Sequence, residues 1–226
     1  MVKTQNKTLY SVHPGVAMMQ KWVVDLPAKT GRSLDEWIAL VVAEGPQSEK
    51  ERREWLKEKH KLGTNASWWI AERSAGKGQE DIDPEAYLQA AEGYVAAMFA
   101  GAKAGLRPVY DQLLELGLGL GKDVKACPGK TIVPLYRERV FAEIKPATRT
   151  RIDLGLALGD LKGAGRLIEN TKRPKGNRIS HRIAIGSPAE IDDEVRRWLK
   201  AAYDLEAERG SGAVSTTTFL GKEKQL

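Results

Sequence analysis

The stretch Thr150-Arg-Ile-Asp-Leu-Gly-Leu156 alternates apolar and polar or small side chains with a period of two. That is the signature of a strand with one buried face. Working outward, Thr131-Ile-Val-Pro-Leu-Tyr136 and Val140-Phe-Ala-Glu-Ile144 precede it, joined by Arg137-Glu138-Arg139 as a hairpin turn. Pro134 favours an edge strand or a bulge, because it cannot donate to a ladder. Ile179 to Ile185 alternates again. Successive strands on short links predict an antiparallel meander. The helix predicted from Pro188, with Ile191, Val195, Trp198, Leu199, Ala202 and Leu205 as its apolar stripe, makes the domain α+β.

The first half has the helical period instead. Pro14 opens a helix with Ser11 or His13 near its cap and Val16, Met19, Val23 and Leu26 inward; Pro27 is expected to end or kink it. Ser33 and Glu36 form a capping box ahead of Trp37, Leu40 and Val41. Ser48 caps a third helix over 49–61, and Thr64 or Asn65 caps a fourth carrying Trp68, Trp69 and Ile70. The expected organisation is a small helical bundle over 14–76, a linker and connecting helix over 77–106, a basic α+β domain over 107–208 and a disordered tail over 209–226. The alanine-rich helix opened by Asp83-Pro84 is expected to run to about Gly105.

Of the 226 residues, 42% are hydrophobic and 29% charged, which suits folded domains with a core of their own. No apolar run reaches a membrane span, and the N-terminus has no signal-peptide pattern. Cys127 is the only cysteine, so no intramolecular disulfide forms, and the expected setting is a reduced cytoplasm.

Several chemistries are argued against. Gly117-Leu-Gly-Leu-Gly-Lys122 lacks the spacing and the Ser or Thr of a phosphate loop, and reads as a helix end with left-handed glycines. His13, His60 and His181 have no metal-ligand spacing, so no metal and no cofactor are expected. Cys127 beside Lys125 and Lys130 has cations that favour a thiolate, but a nucleophile also needs a base and an orienting group in space, and an incidental small residue before a strand is the favoured reading. Asp192-Asp193 suits a helix N-terminus better than acid–base work, with Ser187 and Glu190 as a capping box.

Charge is the main functional signal. The net charge is +6, and between Lys122 and Arg182 stand 15 basic and 6 acidic residues. Lys130, Arg137, Arg149, Arg151, Lys172, Arg173, Lys175, Arg178, His181 and Arg182 are the anion-binding candidates. Arg149 and Arg151 are expected on one strand face, with the loop 172–178 folding over the sheet. Tyr136 and Phe141 are the only nearby aromatics for stacking on bases, a scarcity that weighs against single-strand recognition. The expected function is non-catalytic binding of nucleic acid or another polyanion. One alternative is a protein–protein interaction or homodimeric structural protein, with Trp68 and Trp69 as interface residues, since adjacent residues of a helix cannot both face inward. The other is an enzyme with a site around Lys130, Arg137, Arg151 and His181.

Two segments also resemble bacterial families of unknown function. Lys29-Thr-Gly-Arg-Ser-Leu-Asp-Glu-Trp37 with Trp55-Leu-Lys-Glu-Lys-His-Lys-Leu-Gly63 resembles the helical domain-of-unknown-function family 4287. Gly129-Lys-Thr131, Arg139-Val-Phe-Ala142, His181-Arg-Ile183, Ser187-Pro-Ala-Glu-Ile-Asp-Asp193 and Trp198 resemble family 5655. The resemblance covers about 25–75 and 107–207. It implies the same division of the chain and the α+β fold, and it implies no activity.

Overall fold

The alternating stretch around Ile152–Leu156 is the middle of a six-stranded antiparallel sheet. The structure, a computed structural model, describes residues 9–210. It divides into two units, 1–93 and 94–226, each with its own contacts.

The first unit holds α1 (Pro14–Thr30), α2 (Leu34–Glu44), α3 (Glu49–Glu58), α4 (Thr64–Ser74) and the start of α5 (Pro84–Met98). His13 caps α1 by accepting from the Gly15 N–H at 2.9 Å. Pro27 does not end this helix, which continues to Thr30 and closes with a hydrogen bond from the Gly31 N–H to the Pro27 carbonyl. The Ser33–Glu36 capping box forms, and Ser48 accepts from the Glu51 N–H. Gly63 occupies the cap of α4 without a side-chain bond, in place of the expected Thr64 or Asn65. The core gathers Leu26, Leu34, Trp37, Val41, Leu56, Ile70 and Ala71. The glycine-bearing stretch after α4 is tied down, because buried Arg73 donates to the carbonyl of Gly78 and pairs with Asp81 at 3.6 Å.

The second unit contains the end of α5, α6 (Arg107–Leu118), α7 (Asp193–Gly210) and the sheet. Its strands are β1 (Lys125–Ala126), β2 (Val133–Tyr136), β3 (Val140–Pro146), β4 (Ile152–Leu156), β5 (Ile168–Glu169) and β6 (His181–Ile185), in the order β1-β2-β3-β4-β6-β5. The meander expected from the alternation is therefore present, and β1 and β5 add short edges. α5 stops at Met98 rather than near Gly105. Gly101 takes a left-handed φ of 57°, and the chain continues as a 3-10 turn. α7 extends to Gly210, two residues into the stretch expected as a tail; 211–226 lie outside the described residues.

Register assigns the two faces of the sheet. Ile144, Leu154 and Ile183 lie side by side on one face, and Pro146, Ile152 and Ile185 on the same face. All six are buried, under α6 and α7. The next residue along each strand turns to the opposite face: Glu143 aligns with Gly155 and Arg182, and Lys145 with Asp153 and Ala184. Packing explains two glycines of the 117–121 stretch. Neither has a left-handed backbone. A Cβ on Gly117 would lie 2.4 Å from Leu135 Cδ1, and one on Gly121 would lie 2.2 Å from the Tyr203 hydroxyl.

Candidate anion-binding hollow on the open sheet face

Glu143, Lys145, Asp153 and Arg182 form a polar patch on the sheet face opposite the helices. The long β5–β6 connection folds over it. Both ends of this loop are pinned. Asn170 takes the Ser180 carbonyl through its N–H at 2.8 Å, and the Asn177 side chain accepts from the Ile179 N–H at 2.9 Å. Between them, the Asn177 N–H closes a turn on the Pro174 carbonyl, with Gly176 at a φ of 86° that suits glycine. Gly155 lets the cover approach, since a Cβ there would stand 2.6 Å from Ile179 Cγ2.

The result is an open hollow of about 420 Å³, with Glu143, Lys145, Asp153 and Arg182 from the sheet and Lys172 and Arg173 from the loop among its lining residues. Its charges are of both signs. Asp153 is held between Arg151 at 2.9 Å and Arg182 at 3.7 Å. The first contact is an ion pair without hydrogen-bond alignment. Glu169 accepts from the Gly163 N–H at 2.9 Å. Glu143 differs from both: its half-buried carboxylate has no hydrogen bond or ion pair among the described residues. Burial raises its pKa, and the nearby Lys145 charge only partly opposes this.

The ten sequence candidates distribute as follows. Lys172, Arg173 and Arg182 line the hollow, and Arg151 supports it through Asp153. Lys175 is exposed in the same loop. Arg149 does not share a strand face with Arg151: both precede β4, in the turn after Pro146, and Arg149 is exposed. Arg178 turns to α7 and pairs with Glu206. Arg137 pairs with Asp123 at 2.6 Å and stacks 4.1 Å from the centroid of the Tyr203 ring. Lys130 lies over Tyr94 at 5.8 Å. His181 lies on the helix-covered face, 1% exposed, with Nδ1 2.8 Å from the Ser180 hydroxyl and Nε2 unpartnered. None of Lys130, Arg137, Arg151 and His181 is among the residues that line the hollow.

Glu143 and Lys145 were not singled out in the sequence. Their only signal is the outward position of polar residues in an alternating strand. The other motifs resolve structurally. Cys127 is fully buried, and burial pushes its thiol up to about 12. Asp192 caps α7 by accepting from the Val195 N–H at 3.2 Å and pairs with Arg166. The Ser187–Glu190 pair sits one turn earlier, in a 3-10 turn, where the Ser187 hydroxyl donates to the Glu190 carboxylate at 3.0 Å. In the first unit, Trp69 packs edge-on against Trp22 with centroids 4.8 Å apart. Trp68 is 49% exposed, under the guanidinium of Arg53. No group of metal-binding side chains occurs among the described residues, and no described helix is long and apolar enough to cross a membrane.

Fold and hollow together define an α+β unit with one helix-covered sheet face and one open polar face. Residues 95–206 match the model of a family described as a domain of unknown function (DUF5655). Residues 19–66 match that of a second family, also described as a domain of unknown function (DUF4287). The DUF5655 match begins twelve residues before the resemblance seen in the sequence, within α5. Comparison with curated proteins and with solved structures finds no match.

Proposed function

We propose that the α+β unit is a non-catalytic binding module that holds an anionic ligand, nucleic acid being the class its charge suits best. One observation carries this reading: Lys145, Lys172, Arg173 and Arg182 share a single hollow, though they come from β3, β6 and the loop between β5 and β6. Neither Lys172 nor Arg173 has an acid partner among the described residues, and both are exposed. The excess of 15 basic over 6 acidic residues between Lys122 and Arg182 adds a field that draws polyanions toward this unit. The volume of about 420 Å³ falls within the roughly 300–1,000 Å³ of small-ligand sites. It therefore suits one nucleotide-sized group of a single strand better than a duplex. A cytoplasmic setting agrees with the single, buried thiol.

Fluorescence anisotropy with labelled single-stranded DNA and RNA, in a salt series from about 50 to 200 mM, tests the reading. Affinity should fall steeply with salt. The double variant K172A/R173A should bind more weakly and lower the slope of log K against log salt by roughly 1.4, two single-strand phosphate contacts. No association at the lowest salt would end the proposal.

A further inference from the structure

The carboxylate of Glu143 lines the hollow and faces whatever enters it. Its oxygens open to the solvent of the hollow, so a ligand that displaces that water must bring donors to them. The neighbouring acids of the hollow are engaged: Asp153 by two arginines, Glu169 by a backbone N–H. Glu143 is not, although it stands on the floor of the same hollow beside Gly155. The loop residues around it also keep polar atoms in reserve. Asn170 uses its amide N–H on the Ile179 carbonyl and Asn177 uses its carbonyl oxygen on the Ile179 N–H, which leaves the other end of each side chain without a partner among the described residues.

We infer that Glu143 recognises a nucleobase edge bearing two adjacent N–H donors, as guanine does, while Lys172 and Arg173 hold the phosphate of the same nucleotide. The inference rests on the anion-binding reading and names the ligand within it. A carboxylate presents two parallel acceptors and no donor. Guanine offers N1–H and N2–H side by side, a bidentate match. Adenine sets an acceptor nitrogen beside its amino group, cytosine does the same, and uracil flanks its N–H with two carbonyl oxygens. Each of those turns at least one lone pair toward a carboxylate oxygen. The hollow has few flat apolar surfaces besides Pro174 and the Gly155 backbone, so discrimination falls to hydrogen bonds rather than to stacking.

Calorimetric titration of the full chain with GMP, IMP, AMP and UMP, alongside short oligonucleotides with and without a single guanine, tests the assignment. GMP should bind about tenfold tighter than AMP, one bidentate contact's worth. IMP, which lacks the second donor, should fall between them. Glu143→Gln replaces one acceptor by a donor and should abolish the preference for GMP over AMP, because an amide matches the donor–acceptor edge of adenine and no longer the two donors of guanine. Preference among mononucleotides identifies a free nucleotide as ligand, and preference only among strands identifies a strand; either result supports the role of Glu143 when Glu143→Gln removes the preference. Equal binding of all bases, with strand binding intact, overturns the inference but leaves the anion-binding reading standing. A guanine preference that survives in Glu143→Gln overturns it as well. The comparison of GMP with IMP needs no variant, so it decides even if the substitution disturbs folding. Absence of all strand binding removes the underlying reading instead.

Discussion

Arg178 turns away from the hollow that its loop neighbours line and pairs with Glu206 of α7. The same carboxylate accepts from the backbone N–H and the Nε of Arg139, at 3.2 and 2.8 Å. Glu206 is buried, with its side chain 1% exposed. One acid thus fastens the end of the β5–β6 loop and the β2–β3 turn to the last helix. Glu206→Ala should cost about 3 kcal/mol, at the low end for a broken buried pair because both arginines keep some hydration. Urea denaturation of the variant against the parent measures it. A loss near zero would mean that the loop is held by its asparagines alone.

Glu143 gives a pH dependence of defined sign. Its folded pKa lies above the ordinary 4.5, because burial disfavours the charged form. The folded state therefore binds this proton more tightly than the unfolded chain. The stability this confers is complete below the ordinary value and is lost as pH rises through the folded value. Glu143→Gln removes the titration. The variant should melt with the parent in acid and above it at neutral pH. Tyr136 and Lys145 are the neighbouring titratable groups, and both are common to the two proteins. Melting curves from pH 4 to 8 show the difference directly. A variant less stable at neutral pH would mean that the carboxylate has a structural partner after all.

Cys127 should be chemically silent in the folded protein. Its thiol is fully buried and pushed up to about 12, and the nearby Lys125 offsets burial only in part. Reactivity follows the thiolate, so a thiol reagent at pH 8 should modify the native chain very slowly and the chain in denaturant at once. Rapid labelling of the native protein would show that the β1 edge opens.

The sheet was legible because its strands carry a local signal. Ile152, Leu154 and Leu156 alternate with Asp153 and Gly155 whatever surrounds them, and Ser33 with Glu36 closes its box within one turn. β1 and β5 left no such trace, since two residues define no period. The site was less legible, because partner choice is tertiary. Lys172 and Arg178 look equivalent in sequence, yet one meets the hollow and the other meets Glu206, which is 28 residues away along the chain. His181 and Arg182 are adjacent and lie on opposite sheet faces. The glycines at 117 and 121 looked like turn formers and instead admit Leu135 and Tyr203, side chains that only folding brings near. The excess of cations was written into the composition; the direction in which each one points was not.

Gly155 offers a test of the hollow's construction apart from its charges. The residue is buried in the middle of β4, between Glu143 and Arg182 in register, and its missing side chain is what lets Ile179 lie against the sheet. Alanine needs space that Ile179 Cγ2 occupies at 2.6 Å. Ile179 is itself 5% exposed and hydrogen-bonded through its N–H to Asn177, so it can yield only by lifting the loop end with it. Overpacking of this kind costs about 1–3 kcal/mol. Gly155→Ala should therefore lower stability by that amount and also weaken oligonucleotide binding, because Lys172 and Arg173 ride on the displaced loop. Gly117→Ala, which presses on Leu135 under the helix-covered face, is the matched control: a similar loss of stability with binding unchanged in the folded fraction. Denaturation and anisotropy on both variants separate the two effects. Equal binding by both would show that the loop reaches its ligand without being seated on the sheet.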